Sequence, residues 1–341
     1  MARRSAAIAG RIAQAIPVVI GVVVISFLLT RALPGDPAVQ FAGAAATPES
    51  IEEVRRSLGL DKPLPEQFVI YVGQLLEGDL GRSVSTGRPV ATELAARLPA
   101  SLELTLSALL LSCLIAVPLG VLAATRPGSL VDQFCRVLVT AGVSLPTFFT
   151  GIVLIYVFYY LLGIAPSPLG RLDFIYVDPP HVTGFFLIDA AFDADLETWL
   201  GALKQLILPA ITLALFTLAP IARMTRAAML AALSADYIRT ARAAGLAPAT
   251  VLYAYAFRNA LLPVVTTLGM VFSFVLGANV LVEKVFAWPG IGSFAVEALV
   301  VSDYAAVQGF VLAMALLFVF LNLLIDLSYS VIDPRFGTSS K

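Results

Sequence analysis

The chain has 341 residues, of which 59% are hydrophobic and 13% are charged, and its formal net charge is −1. A soluble protein has about 45–50% apolar and about 25% charged residues, so this composition excludes a plain soluble domain. Much of the chain must therefore have lipid as its solvent.

Six long stretches contain no Asp, Glu, Lys or Arg, and they are the candidate membrane spans. An α-helix needs about 20 apolar residues to cross the hydrocarbon core, and a charge near the midplane costs several kcal/mol. We therefore predict an all-α membrane protein with six transmembrane helices. The stretches are 12–30, 104–125, 137–170, 205–222, 259–282 and 304–325.

The lengths of the first and third stretches indicate what each of them contains. The first has 19 residues, which exceeds the roughly 7–15-residue apolar region of a signal peptide. We favour an uncleaved first span over a cleaved signal peptide. The third has 34 residues and contains Pro166 and Pro168, which predict one helix that ends near Gly163 and is followed by a loop.

The loops predict the orientation, since Lys and Arg near span ends stay in the cytoplasm. Apart from Glu103 and Asp326, which adjoin span ends, the N-terminus, the 2–3 loop, the 4–5 loop and the tail together carry 12 basic and three acidic residues, whereas the opposite side carries 10 basic and 18 acidic residues. Both termini are therefore predicted to be cytoplasmic. The predicted divisions are 1–32 for the N-terminus and first span, 33–98 for an extracytoplasmic subdomain, 99–331 for a five-helix core and 332–341 for a cytoplasmic tail.

The segment between the first two spans is too long for a bare connector. It contains two helix-like stretches, 48–59 and 65–77, the first of which has Thr47 as a predicted N-cap and Gly59 as a predicted stop. We expect a small helical subdomain that contacts a partner, and the alternative is a lid that covers helix ends.

The second outer loop, 164–203, is rich in acidic residues and holds the single histidine, His181. Its acids lack the alternating spacing and central glycine of a calcium loop, and a lone histidine does not assemble a typical metal site. The pattern favours a solvated acidic surface, and we assign no metal.

The loop between spans 4 and 5 is predicted to contain a short helix at about 234–247. Ser234 is the predicted cap, Asp236 suits the positive N-terminal end of the helix, and Gly245 is the predicted stop. Alanines such as Ala241 would allow another backbone to come close, and Tyr237, Ile238 and Leu246 would supply apolar contacts. The sequence therefore predicts a helix that binds in a cleft of another protein. The alternative is an amphipathic helix on the lipid surface.

Several kinds of chemistry have no motif in this chain. There is no GxxxxGK[ST] phosphate loop, no HExxH and no GxSxG, so we predict no catalytic residue. The six stretches also lack the midplane charges that ion-driven carriers use. Two residues are candidates for a translocation path: Glu103, which could face a pore or stabilise a helix N-terminus, and Asn279, which could instead hold helices together.

The chain resembles the membrane-spanning permease subunits of bacterial ABC importers for dipeptides, oligopeptides and nickel, specifically the first permease of the pair. The motifs that carry the resemblance occur in order along nearly the whole chain. They are LPGDP at 33–37, LGLDKP at 58–63, GDLGRS at 78–83, LPASLEL at 98–104, PLGVLAA at 118–124, IARMTR at 221–226, VFAWPGIG at 285–292 and DPR at 333–335.

The resemblance implies a type I ABC importer-like fold in the cell inner membrane, with both termini inside. It implies three kinds of partner besides the lipid bilayer and no nucleic acid: a second permease, two ATP-binding subunits, and an extracytoplasmic solute-binding protein. It also implies that ATP and Mg²⁺ are bound by the partner ATPases and that this chain has no cofactor of its own. The cargo it implies is a di- or oligopeptide, with glutathione-like compounds, nickel complexes and oligosaccharides as alternatives.

The family's ATPase-coupling signature falls on the predicted helix between spans 4 and 5. Ala244 and Tyr255 occupy positions where the peptide-type subgroup usually has Lys and His. The coupling residues that the resemblance implies are Tyr237, Arg239, Thr240, Ala241, Arg242, Ala243, Gly245 and Leu246. Two functions from other classes stay open at this point, a self-sufficient secondary carrier or channel and a membrane enzyme.

Overall fold

The structure is a computed structural model, and it describes residues 16–28, 31, 37–42, 46–57 and 59–332. In that part of the chain every regular element is a helix, apart from an isolated antiparallel bridge between Arg82 and Pro89. The predicted all-α class is confirmed. Residues 33–36 of the first motif and the tail from 333 onward lie outside the described residues.

The helices are labelled in chain order. Those of the first half are α1 Ile16–Leu28, α2 Pro37–Ala42, α3 Pro48–Ser57, α4 Leu64–Leu76, α5 Val90–Thr125, α6 Leu130–Ser144 and α7 Thr147–Leu154, which continues as a π-helical segment, Ile155–Leu161. Those of the second half are α8 Phe186–Phe192, α9 Leu196–Leu233, α10 Asp236–Ala243, α11 Pro248–Thr250, which continues as a second π-helical segment, Val251–Phe257, then α12 Arg258–Val285, α13 Ile291–Val300 and α14 Tyr304–Ile332.

Four helices of the described chain are long and apolar enough to cross a membrane: Val90–Thr125, Leu196–Leu233, Pro248–Val285 and Tyr304–Ile325. They contain the predicted second, fourth, fifth and sixth spans. Shorter apolar helices, Ile16–Leu28 and Thr147–Leu161, occur at the predicted first and third spans. The first three long helices are longer than the charge-free stretches that predicted them. The stretches are shorter because they stop at the first charged residue, whereas the helices continue through charged residues at their ends.

The third predicted span is interrupted, and the prediction of one continuous helix through it is wrong. Helix α6 ends at Ser144, Leu145 is extended, and α7 begins at Thr147. Pro146 causes the break, since it has no N–H to donate and it pushes the preceding residue out of the helical region. The end of this stretch is close to the predicted one, because the helical conformation stops at Leu161.

The described chain divides into two compact units, which we describe separately. The first consists of Met1–Leu98 and Gly290–Leu323. Its apolar core lies between the start of α5 and helices α13 and α14, with Val90, Leu94, Ile291, Phe294 and Ala298 buried.

Local signals in the first unit act as predicted. Thr47 accepts a hydrogen bond from the backbone N–H of Ser50 at the start of α3, as an N-cap does. Gly59 follows the end of α3 with a φ of 65°, in the left-handed region that glycine adopts without strain. The predicted cap and stop of the first outer helix are therefore confirmed.

The second unit consists of Pro99–Pro289 and Leu324–Lys341. Its main core is formed by residues of α5, α9 and α12, among them Leu104, Leu213, Ile221, Val275 and Trp288. Small residues allow these helices to approach closely, so that polar groups of neighbouring helices come into contact. Ser112 of α5 donates a 2.8 Å hydrogen bond to the backbone carbonyl of Ala214 in α9.

Candidate functional site

The short helix predicted between the fourth and fifth spans is present as α10, Asp236–Ala243. Its predicted cap is wrong. Ala235 is the N-cap residue and offers no side-chain cap, while the Ser234 hydroxyl donates to the carbonyl of Ala231 at the end of α9. Asp236 lies in the first turn as expected, where it forms an exposed 3.5 Å ion pair with Arg239.

The C-terminal end of α10 is a Schellman motif centred on Gly245. The N–H of Gly245 donates to the carbonyl of Arg242 at 3.0 Å, and the N–H of Leu246 donates to the carbonyl of Ala241 at 3.2 Å. Gly245 has a φ of 75°, and a Cβ added there would meet no atom within 4 Å. Glycine is therefore needed for its backbone conformation and not for space. The predicted stop is confirmed.

One face of α10 packs against this chain's own core. Ile238 is 0% exposed and Ala241 is 5% exposed, and both belong to a cluster with Met229 of α9 and with Val251 and Ala256 of the π-helical segment. Residues three apart share a helix face, so the two side chains point in one direction. The expectation that Ala241 admits another backbone, and that Ile238 is an outward contact, is wrong.

The opposite face of α10 and the turn after it are exposed, and we call this region the α10 surface. Tyr237 is 40% exposed and Leu246 is 37% exposed, so both present apolar area to a partner. The remaining coupling candidates on this surface are exposed too, and with Tyr237 and Leu246 they define it: Arg239, Thr240, Arg242, Ala243 and Gly245.

Two tyrosines lie beyond the α10 surface in the second π-helical segment. Tyr253 and Tyr255 are exposed, whereas Val251 and Ala256 of the same segment are buried in the cluster that holds Ile238. The Asn259 side-chain amide donates a 2.7 Å hydrogen bond to the Tyr255 carbonyl. The segment therefore shares one packed base with α10. Apolar, aromatic and basic groups on a rigid base are suited to binding a protein.

An ion pair that the sequence did not reveal lies before α10. The guanidinium of Arg226 in α9 donates from Nε to Oδ1 of Asp132 at 2.7 Å and from a terminal nitrogen to Oδ2 at 2.8 Å. The Gly128 N–H donates to the same carboxylate at 2.9 Å. These hydrogen bonds, first of all the one from Arg226, lower the pKa of Asp132 to about 2. Asp132 is therefore ionised throughout the physiological pH range.

Glu103 does not face an open path in the second unit. It is 5% exposed, its Oε2 accepts a 2.5 Å hydrogen bond from Arg171, and its Oε1 accepts one from the backbone N–H of Leu187 at 2.9 Å. The expectation that it stabilises a helix N-terminus is also wrong, because its helix begins at Val90. Glu103 therefore holds the second outer loop against α5.

Asn279 is also buried, and it contacts α5. Its amide nitrogen donates to the Ser101 carbonyl, to the Thr105 hydroxyl and to Oε1 of Glu283. Ser101 donates a 2.5 Å hydrogen bond to the same oxygen of Glu283. Asn279 therefore holds α12 against α5, as the alternative interpretation of this residue predicts. Glu283 is also buried, and it was missed in the sequence because it follows the charge-free stretch 259–282 by one residue. Its i, i+4 spacing from Asn279 could have indicated that the two side chains interact.

The acidic outer loop is only partly a solvated surface. Asp189 is buried, and although burial opposes its ionisation, hydrogen bonds from Thr183 and Gly184 hold its pKa below the usual value. Asp195 caps α9, and the hydrogen bond from the Thr198 hydroxyl lowers its pKa. His181 is exposed, and among the described residues no group of three or more His, Cys, Asp or Glu side chains could hold a metal ion.

Two family models match the chain. "Binding-protein-dependent transport system inner membrane component" matches residues 116–338, and the corresponding N-terminal model matches residues 6–105.

Three curated relatives are similar over nearly their full lengths. The probable D,D-dipeptide transport system permease protein DdpB of Escherichia coli K12 is 47% identical over 94% of each chain. The di/tripeptide transport system permease protein DppB of Pseudomonas aeruginosa UCBPP-PA14 is 43% identical over 96% of this chain and 97% of the relative. The dipeptide transport system permease protein DppB of E. coli K12 is 39% identical over 95% of this chain and 96% of the relative.

A solved structure has a similar fold. A chain of the MetNI methionine ABC transporter in an inward-facing conformation aligns with a TM-score of 0.51 and 17% identity, covering 71% of this chain and 96% of that chain. At this identity the similarity concerns the fold alone.

Proposed function

This chain belongs to the family of binding-protein-dependent transport system inner membrane components, and we propose that it couples a peptide importer to cytoplasmic ATPases through the α10 surface. Its role as a multi-pass membrane permease of binding-protein-dependent transport follows from the family and from relatives of nearly equal length. We further propose the partner subunits of this permease, its cargo and the residues that couple it to the ATPases.

The observation that carries the coupling proposal is the two-sided packing of α10. Ile238 and Ala241 bind the helix to α9 and to the second π-helical segment, while Tyr237 and Leu246 remain exposed. A force applied to the exposed face is therefore transmitted to a packed base that includes the end of a membrane-spanning helix. A loosely attached helix would absorb such a force. A packed interface passes it on, because packed cores switch between discrete arrangements and do not deform continuously.

We assign the partners by this geometry together with the family. A second permease completes the translocation path, two ATP-binding subunits bind ATP and Mg²⁺, and an extracytoplasmic solute-binding protein delivers cargo. This chain contains no phosphate-binding loop and is proposed to catalyse no hydrolysis itself. In its membrane arrangement it has six spans and cytoplasmic termini, with α1 and α7 crossing besides the four long helices, and 33–98 lies outside.

The proposed cargo is a di- or oligopeptide. The support comes from the relatives, whose names state dipeptide, D,D-dipeptide and di/tripeptide transport. The candidate path residues Glu103 and Asn279 are both engaged in buried hydrogen bonds, so selection of the peptide is assigned to the solute-binding protein and not to these two side chains.

Copurification from the native membrane tests the proposal. A tagged wild-type chain is expected to bring down a second permease and two ATP-binding subunits, and Leu246→Asp is expected to lose the ATPases while it keeps the second permease. Leu76→Asp is the matched control, because Leu76 is also an exposed leucine but lies in the outer subdomain. A wild-type chain that comes out alone and carries solute without ATP would contradict the proposal.

A further inference from the structure

The Asp132–Arg226 ion pair connects two helices with unusual geometric precision. Asp132 lies in the first turn of α6, and its side chain is only 2% exposed. Both of its oxygens are taken by one guanidinium, at 2.7 and 2.8 Å. A bidentate pair of this kind restricts the angle as well as the distance between its partners, which a single hydrogen bond does not.

On the α9 side, the pair belongs to the same packed body as the α10 surface. Arg226 is followed in α9 by Met229 and Ala232, which are buried in one cluster with Ile238 and Ala241 of α10. Only Ser234 and Ala235 separate α9 from α10. A displacement of α10 therefore reaches Arg226 through direct packing.

On the α6 side, a second contact with α9 lies farther along the helix. A Cβ added at Gly142 would lie 2.8 Å from the carbonyl oxygen of Leu215, so the two backbones approach very closely there. Val139 of α6 is also buried in the main core with residues of α9. The ion pair adds to these contacts a polar one with a defined direction.

One side of α6 is exposed next to Asp132 and forms an open, shallow groove. Its lining side chains are Gln133, Arg136, Val137, Thr140 and Ser144. Arg136 is 4.0 Å from Asp132 and its side chain is 59% exposed, so it is a weaker partner for the carboxylate than Arg226 is. Because all five lining side chains belong to α6, a movement of this helix displaces the groove as one body.

We propose that Asp132 and Arg226 are positioning residues that convey displacement of the α10 surface to α6 and so to the groove that α6 borders. This inference rests on the proposed coupling function. It assigns to the pair a role in transmission, separate from ATPase binding, since both residues lie outside the α10 surface. Breaking the pair leaves α10 on its packed base and the apolar α6–α9 contacts in place, and removes the directional link between the two helices.

The test uses the complete importer in proteoliposomes with its binding protein. Asp132→Asn keeps the shape of the side chain and removes its charge, and Arg226→Lys keeps the charge and removes the bidentate fork. Both are expected to retain the ATPases, while uptake and the ratio of stimulated to basal ATP hydrolysis fall at least about fivefold, the lower range of measured allosteric couplings. The exchanged pair Asp132→Arg with Arg226→Asp is expected to recover part of both quantities, since it restores the attraction but not the hydrogen bond that Asp132 accepts from the Gly128 N–H.

Arg223 supplies the matched control, since it is an exposed arginine of α9 one turn before Arg226. Arg223→Lys is expected to leave the ratio unchanged. Unchanged uptake and stimulation in Arg226→Lys would overturn the inference, and so would an exchanged pair that restores assembly without transport, because both results mean a merely structural pair. If the wild-type chain retains no ATPase, the proposed function fails; if it does and Asp132→Asn transports normally, only this inference fails.

Discussion

Ser83 donates a 2.6 Å hydrogen bond to the carboxylate of Asp303, although the two residues are 220 positions apart in the chain. The same oxygen of Asp303 also accepts from the backbone N–H and the hydroxyl of Ser85. Asp303 is fully buried and precedes α14. It also accepts a hydrogen bond from the backbone N–H of Ala306 in that helix. The GDLGRS motif thus has a structural explanation, since its serine anchors the loop before α5 to the start of the last long helix.

The first prediction concerns this anchor. Ser83→Ala removes a hydrogen bond to a buried charge, which costs about 1.5–3 kcal/mol, so the thermal midpoint of the detergent-solubilised protein is expected to fall by several degrees. Ser57→Ala is the control, because its exposed hydroxyl donates only to the Val54 carbonyl within α3. Equal midpoints for the two variants would show that the Ser83 bond contributes nothing.

The second prediction concerns pH and the Asp132–Arg226 pair. Because the pKa of Asp132 is lowered to about 2, its ionisation stabilises the folded state above the ordinary carboxyl pKa of about 3.8. That stabilisation is lost as the pH falls from the ordinary value through the lowered one. The difference in thermal midpoint between wild type and Asp132→Asn is therefore expected to be constant from about pH 8 to 5 and to shrink only below about pH 4. A difference that changes near pH 6.5 would point to another titrating group.

The third prediction separates conformation from space at Gly245. Because its φ is 75° and the space around it is open, Gly245→Ala is expected to destabilise the turn by about 1 kcal/mol through backbone strain. Weaker retention of the ATPases during purification and faster amide exchange at Leu246 would report the loss. Gly73→Ala is the control, because Gly73 lies within α4 and its surroundings are also open. Retention by Gly245→Ala that equals that of Gly73→Ala would contradict the role of the Schellman turn.

The fourth prediction concerns the buried Glu103–Arg171 pair. Glu103→Ala leaves the guanidinium of Arg171 buried without its carboxylate, which costs about 3–5 kcal/mol. The double variant Glu103→Ala with Arg171→Met is expected to recover much of that stability, because the apolar side chain keeps contact with Phe186, on whose ring Arg171 stacks at 3.6 Å. Thermal unfolding of the three proteins measures both effects. A path-lining Glu103 would instead change uptake while leaving the midpoint unaltered.

The fifth prediction concerns the outer subdomain. Deleting residues 49–77 is a poor test of its function, since Phe68 and Tyr71 pack on Phe27 of α1 and their loss would uncover that helix. Val69→Asp with Leu76→Asp changes two exposed side chains and leaves that packing in place. The double variant is expected to reduce the stimulation of ATP hydrolysis by the binding protein. Full stimulation would mean that the subdomain is a passive cover, as the alternative interpretation holds.

The class of the protein and its local signals follow from the amino-acid sequence alone. Charge-free length identified the four long apolar helices because the cost of burying charge in lipid is large and independent of the fold. Thr47, Gly59 and Gly245 were correctly identified as cap and stop residues because capping depends on hydrogen bonds between neighbours in the chain. The position of α10 was predictable for the same reason.

The direction in which the side chains of these helices face depends on the tertiary structure. Ala241 is small enough to admit a partner's backbone, yet it lies against this chain's own core. Glu103 looks like a path-lining acid, yet Arg171 and the backbone N–H of Leu187, 68 and 84 positions away, donate to it. Asp132 and Arg226 are 94 positions apart. Periodicity and capping are local properties, whereas the partner of a buried charge depends on which remote segments the fold brings together.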